Sequence, residues 1–98
     1  MYFEFEDDDL EELYCDASSK TRLGPAVDKG FRKVMGFIAQ AKNEMDLRNY
    51  RSLHYHKLAG DRSHQHGISI TDQWRLIVER VEKDGRTTLR IIRIEDYH

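Results

Sequence analysis

A chain of 98 residues, 39% hydrophobic and 35% charged, is the size of one compact domain spanning 1–98, with little interior to spare for a deep private pocket. Its single cysteine, Cys15, excludes an internal disulfide and suits a reducing compartment. No stretch approaches the roughly 20 apolar residues of a membrane-spanning helix, and the start Met1-Tyr2-Phe3-Glu4 has no basic leader, so a cytoplasmic location without a membrane partner is expected.

The net charge of -2 conceals an asymmetry. Residues 1–16 hold eight acids and no base, whereas the remaining 82 residues hold 10 acids and 16 bases. A basic body behind an acidic N-terminal element points to an anionic partner met by one face only.

Tyr2 to Glu6 alternates as a strand does, with Phe3 and Phe5 on one side. Asp7-Asp8-Asp9 supplies an N-cap and first-turn negative charge for a short helix to about Cys15, whose Leu10, Leu13 and Tyr14 have helical spacing. Ser18 to Gly24 reads as a loop. Pro25 opens a second helix, and Val27, Phe31, Val34, Met35 and Ile38 form its apolar stripe, ending near Lys42. That stripe is core packing, and no cofactor is expected of it. Asn49 to Leu58 is mixed and partly extended, and Gly60-Asp61-Arg62-Ser63 is a turn. Ile68 and Ile70 alternate as a strand. Trp74 to Val81 forms another, with Trp74, Leu76 and Val78 on the core face and Arg75 and Ile77 opposite. Asp84-Gly85 is a hairpin signal, and Leu89 to Ile94 returns as a third strand. The expected fold is α+β: two N-terminal helices packed on one face of a small antiparallel sheet, the other face left free.

Two clusters carry residues capable of chemistry. The ending Asp96-Tyr97-His98 brings together an acid, a phenol and an imidazole. An imidazole can take or give a proton near neutral pH, and an aromatic ring can stack on an exposed base. His54-Tyr55-His56-Lys57 precedes the Gly60-Asp61-Arg62 turn, and His64-Gln65-His66 repeats the His-x-His spacing. Such pairs suit zinc, but no cysteine accompanies them and both flanks are basic, so no metal site is expected. His54, His64 and His66 read as ordinary exposed surface. Arg75 either clamps a phosphate from the open sheet face or pairs across strands with Glu79 or Glu95.

The segments His56-Lys57-Leu58-Ala59-Gly60-Asp61-Arg62, Ile68-Ser69-Ile70, Gln73-Trp74-Arg75-Leu76 and Glu95-Asp96-Tyr97-His98 resemble, in order and spacing, the HigB-like branch of the RelE/ParE toxin superfamily. The resemblance covers essentially the whole chain and implies a microbial-ribonuclease-like α+β fold. It implies a toxin of a type II toxin-antitoxin system that cleaves mRNA in the ribosomal A site without a metal or cofactor. It also implies a helix-turn-helix, HigA-like antitoxin, through which alone operator DNA is reached. On that pattern His56, Asp96, Tyr97 and His98 are the catalytic residues, and Lys57, Arg62 and Arg75 contact RNA phosphates. His98 is one proton-transfer group; His56, or else Asp96, is its counterpart. The family's lysine before the Gly-Asp-Arg turn is Ala59 here, and Lys57 is the expected substitute from the same strand face. A ParE-like gyrase inhibitor and a non-catalytic co-repressor partner are the alternatives, and the paired proton-transfer groups favour the nuclease.

Overall fold

A computed structural model describes residues 1–97. Strand β1 is Tyr2–Phe5, followed by helices α1 (Asp8–Cys15), α2 (Pro25–Gln40) and α3 (Glu44–Asn49). Strands β2 (His56–Lys57), β3 (Gln65–Ser69), β4 (Trp74–Lys83) and β5 (Arg86–Asp96) complete the chain, with single 3-10 turns at Arg51–Leu53 and Gly60–Arg62. The sheet order is β1-β5-β4-β3-β2. All pairings are antiparallel except β1 with β5, which is parallel and joins Tyr2–Phe5 to Thr88–Ile91. The α+β expectation therefore holds, with a third helix and a parallel edge strand added to it. Among the described residues no helix is long and apolar enough to cross a membrane.

Local chemistry explains the helices. Asp7 caps α1 through bonds from the Asp9 and Leu10 amides at 2.8 and 3.4 Å. Pro25 sits in the first turn of α2, after Gly24 at φ 105, a backbone region that glycine enters without a Cβ clash. Helix α3 has only six residues and one buried side chain, Leu47; Asn43 caps it through the Asp46 amide at 3.2 Å. One turn of helix with one apolar anchor has no periodicity to read, so it is invisible to pattern analysis.

The core lies between the helices and one sheet face. Leu10 and Leu13 of α1, Phe31, Val34, Met35 and Ile38 of α2, and Leu47 of α3 pack on Ile68, Leu76, Val78, Leu89 and Ile91. Phe31, Met35 and Ile38 are fully buried, each contributing about 1.5–3 kcal/mol of transfer free energy. Phe3 meets Phe5 and Tyr14 edge-on at 5.7 and 5.5 Å, which seats β1 against α1. The opposite face is not bare. Ile77 is fully buried there, and a charged layer lies around it.

One irregularity decides which residues form that layer. Ile77 pairs with Arg93, but Val78 pairs with Ile91, so Ile92 has no counterpart on β4. This bulge shifts the alternation of β5 by one residue. Leu89 and Ile91 face the core before it, Ile94 faces the core after it, and Arg93, Glu95 and Tyr97 are turned to the face away from the helices.

Helix α1 has no basic residue in its last turn, and its C-terminal carbonyls are met instead by Arg32 of α2. Arg32 donates to Leu13 O at 3.1 Å, Asp16 O at 3.2 Å and Ser19 O at 2.7 Å, fixing the α1–α2 connection. Truncation of Arg32 to alanine is expected to lower stability by about 2 kcal/mol in urea unfolding at unchanged m-value. A loss smaller than about 0.5 kcal/mol, the range of an ordinary surface substitution, contradicts this assignment.

Candidate active site

The site is built from the C-terminal half of β5, the start of β4, β2 and the turn that follows β2. Arg75 of β4 pairs with Glu95 of β5, so the two side chains rise from the same face. Arg75 Nη2 donates to Glu95 Oε1 at 3.0 Å, and the Arg75 guanidinium lies 5.2 Å from the Tyr97 ring centroid. The Tyr97 hydroxyl is hydrogen-bonded to the Ser69 hydroxyl, and its amide donates to Gln73 O at 2.9 Å. The ring is thus anchored at both ends. Arg62, from the 3-10 turn, reaches the same carboxylate with two bonds of 2.7 Å, and Arg93 Nε reaches it at 3.2 Å. The hydrogen bonds from Arg62 are the main reason the Glu95 carboxyl is held down at about 2; partial burial opposes them and Arg75 reinforces them. The alternative reading of Arg75 as a cross-strand partner of Glu95 describes this geometry, and Arg75 also reaches toward the Tyr97 ring.

His56 enters from β2. It pairs with Gly67, which in turn pairs with Ile77. The ring lies directly over Gly67: a Cβ there would approach His56 Cε1 to 3.0 Å, Nε2 to 3.3 Å and Arg75 Cδ to 3.4 Å. The missing side chain at Gly67 is therefore what lets His56 approach Arg75. His56 Nδ1 is 2.6 Å from His54 O. A carbonyl only accepts, so Nδ1 carries a proton and Nε2 is the nitrogen left for exchange. His54 adopts the left-handed conformation (φ 47, ψ 44), at a cost of roughly 1–2 kcal/mol for a side-chain-bearing residue, and this bend precedes the carbonyl that holds His56.

His56 joins two depressions. One, of 760 Å³, is lined by His54, His56, Ser69, Asp72 and Tyr97 among others; the second, of 410 Å³, by His56, Ala59, Arg62 and Arg75 among others. A continuous groove runs from the tyrosine past the imidazole to the arginines.

Not every expected residue lies in it. Asp96 pairs with Trp74 and so starts from the side of the sheet that Trp74 occupies, its carboxylate accepting from Gln73 Nε2 at 3.1 Å. The strand period separates it from Arg75 and Tyr97. Lys57 pairs with His66, whose own β4 partner is the core residue Val78. Lys57 thus alternates away from His56 along β2, and it also lines the second depression. His98 lies outside the described residues. In the sequence Glu95 is one possible partner for Arg75 and the first residue of the C-terminal segment that carries the resemblance; nothing in the pattern marks it as the shared acceptor of three arginines.

His66 also differs from expectation. It is stacked on Tyr55 at 4.6 Å, with Arg48 5.2 Å from the Tyr55 centroid, and burial pushes its pKa down. Tyr55 donates to Glu44 at 2.7 Å, and Arg80 donates to the other oxygen of Glu44 at 3.2 Å. This is a separate cluster on the helix side of the sheet. Among the described residues no group of three or more His, Cys, Asp or Glu side chains is arranged to hold a metal ion.

Because the pKa of Glu95 is depressed on folding, its ion pairs stabilise the protein fully above about pH 4.5 and lose that effect as pH falls toward 2. Glu95→Gln is expected to be about 1–2 kcal/mol less stable than the parent near pH 6, since three part-exposed arginines lose their acceptor. The gap should close on acidification across that window in urea titrations; a gap independent of pH contradicts the ionic assignment.

A family description, RelE-like toxin of type II toxin-antitoxin system HigB, matches residues 3–89. In structure the chain is similar to the YoeB/ParE toxin from Agrobacterium tumefaciens, with 10% identity, TM-score 0.57 and the whole of both chains covered. It is also similar to YafQ from E. coli, with 12% identity, TM-score 0.60 and coverage of 97% of this chain and 91% of that one. At such identities these likenesses speak to the fold alone. No curated protein sequence matches significantly. The family match runs from β1 into β5, and the chain accordingly belongs to the HigB-like, RelE-like toxins of type II toxin-antitoxin systems.

Proposed function

We propose that this toxin is a metal-independent endoribonuclease that cleaves mRNA in the ribosomal A site. The observation that carries the reading is the convergence of His56, Arg62, Arg75 and Tyr97 on one groove, joined by a glycine that makes room for the imidazole. RNA cleavage of this kind requires removal of the ribose 2′-OH proton, charge stabilisation at the phosphorane, and protonation of the leaving 5′-oxygen. His56 transfers one proton through Nε2, with its Nδ1 proton held by the His54 carbonyl. His98 transfers the other, a role resting on the sequence pattern. Asp96, on the other side of β5, is the weaker candidate for that exchange. Arg75 and Arg62 stabilise the added negative charge, where one positioned donor is worth about 3–4 kcal/mol. Tyr97, its ring fixed by Ser69 and Arg75, orients a base in the larger depression. Lys57 contributes at the groove edge.

The groove is shallow, and a nucleophile is aligned for in-line attack only when the RNA is held on both sides. The ribosome supplies that hold, which places the activity in the cytoplasm and gives little cleavage of free RNA. Membership of a type II system implies an antitoxin partner. We take it to be a helix-turn-helix, HigA-like protein that masks this groove and carries the toxin to operator DNA. The reading as a ParE-like gyrase inhibitor gives no role to an imidazole set over a glycine beside an arginine.

In a translation-coupled cleavage assay, His56→Ala and His98→Ala are each expected to lose at least about 100-fold in rate. Gly67→Ala should lose activity by pushing the His56 ring away while the protein still unfolds cooperatively. Parent-like cleavage by both histidine variants overturns the mechanism. Relaxation of supercoiled DNA after induction, without cleaved mRNA ends, favours the gyrase alternative.

A further inference from the structure

Glu95 accepts more than a surface carboxylate ordinarily does. Its two oxygens take two bonds from Arg62 at 2.7 Å, one from Arg75 at 3.0 Å and one from Arg93 at 3.2 Å. Guanidinium forks of this geometry accept a phosphate as readily as a carboxylate. The cluster keeps an excess of positive charge, three arginines to one acid. Its partners are also incomplete: the Nε–H of Arg75 is buried and has no acceptor among the described residues. Arg75 offers the carboxylate only Nη2, using one edge of its fork, and an unpaired buried donor is a standing penalty. The Glu95 side chain is 23% exposed, so a turn of its χ angles carries the carboxylate into water.

We propose that Glu95 is an internal stand-in for an RNA phosphate: Arg62, Arg75 and Arg93 form a ready-made phosphodiester site that the protein's own carboxylate closes at rest. An entering phosphate displaces the carboxylate and offers its oxygens to the arginines, including the Arg75 Nε–H that Glu95 leaves unpaired. Because the carboxylate is tethered beside the site, it competes at high effective concentration. Loose RNA loses that competition, and RNA presented in register by a larger body wins it. Glu95 is then a specificity-determining residue that disfavours free RNA. The inference rests on the reading of this groove as an RNA site and goes beyond it by assigning a competitor within it.

The test uses the full chain, its Glu95→Gln form and a 2′-O-methyl oligoribonucleotide, which cannot be cleaved. In fluorescence anisotropy across a salt series, Glu95→Gln is expected to bind at least about tenfold more tightly than the parent, since a like charge is removed from the anion's place. It should also show the steeper salt dependence of an added phosphate contact. Adding Arg62→Gln to that variant should remove most of the gain. In the folded parent, carboxyl-labelled NMR should show the Glu95 resonance moving as the oligonucleotide is added, a readout that does not depend on any variant's folding. Unchanged or weaker binding by a cooperatively folding Glu95→Gln, or a Glu95 resonance that stays fixed at saturation, overturns the proposal. Loss of the nuclease reading looks different: the parent then fails to cut ribosome-bound mRNA while the anisotropy gain remains.

Discussion

The one-residue register shift between β4 and β5 is the constraint on which the rest of the structure turns. Leu89 and Ile91 share a face, and an unbroken strand carries residues 93, 95 and 97 onto that same face. Arg93 and Glu95 would then be driven into the apolar layer beneath α2, which is costly for charged groups. With Ile92 unpaired, Ile94 takes the core-facing position and the polar residues reverse. One extra residue thus lets a single strand serve the hydrophobic core with its first half and a charged groove with its second.

The two faces are held by different physics. On the helix side, apolar burial dominates, and the helix ends are tied by few but specific bonds, from Asp7, Asn43 and Arg32. On the other side, Ile77 is buried beneath a layer of arginines whose mutual repulsion is relieved by one carboxylate. The arginines themselves keep that carboxylate ionised. Gly67 links the two requirements. It leaves β3 without a side chain on this face between Gln65 and Ser69, weakening the strand locally, and the space it leaves is occupied by the His56 ring.

Much of the scaffold was legible because it is periodic. The stripe of α2 is buried as its spacing demands, and Asp84 and Gly85, at φ 53 and 75, form the two-residue hairpin that the dipeptide signals. The parallel partnership of β1 with β5 was not legible, since it depends on residues far apart in the chain. The bulge left one mark, the adjacent Ile91-Ile92 pair, which breaks alternation without saying where the partner slips. The site was legible to the extent that residue identity reveals it: His56, Arg62, Arg75 and Tyr97 meet. Asp96 is set apart from Tyr97 because adjacent strand residues point opposite ways. The roles of Glu95 and Gly67 come from geometry that no local pattern encodes.

The pairing of β1 with β5 has a consequence for the protein's own synthesis. Glu4 meets Arg90 across 86 positions, so the first strand made must wait for nearly the last one. The arginine cluster likewise draws on Arg62, Arg75 and Glu95, and cannot close before β5 has left the exit tunnel. A nascent chain therefore holds its helices and early hairpin without the arginine cluster, which assembles only once the final strand is free.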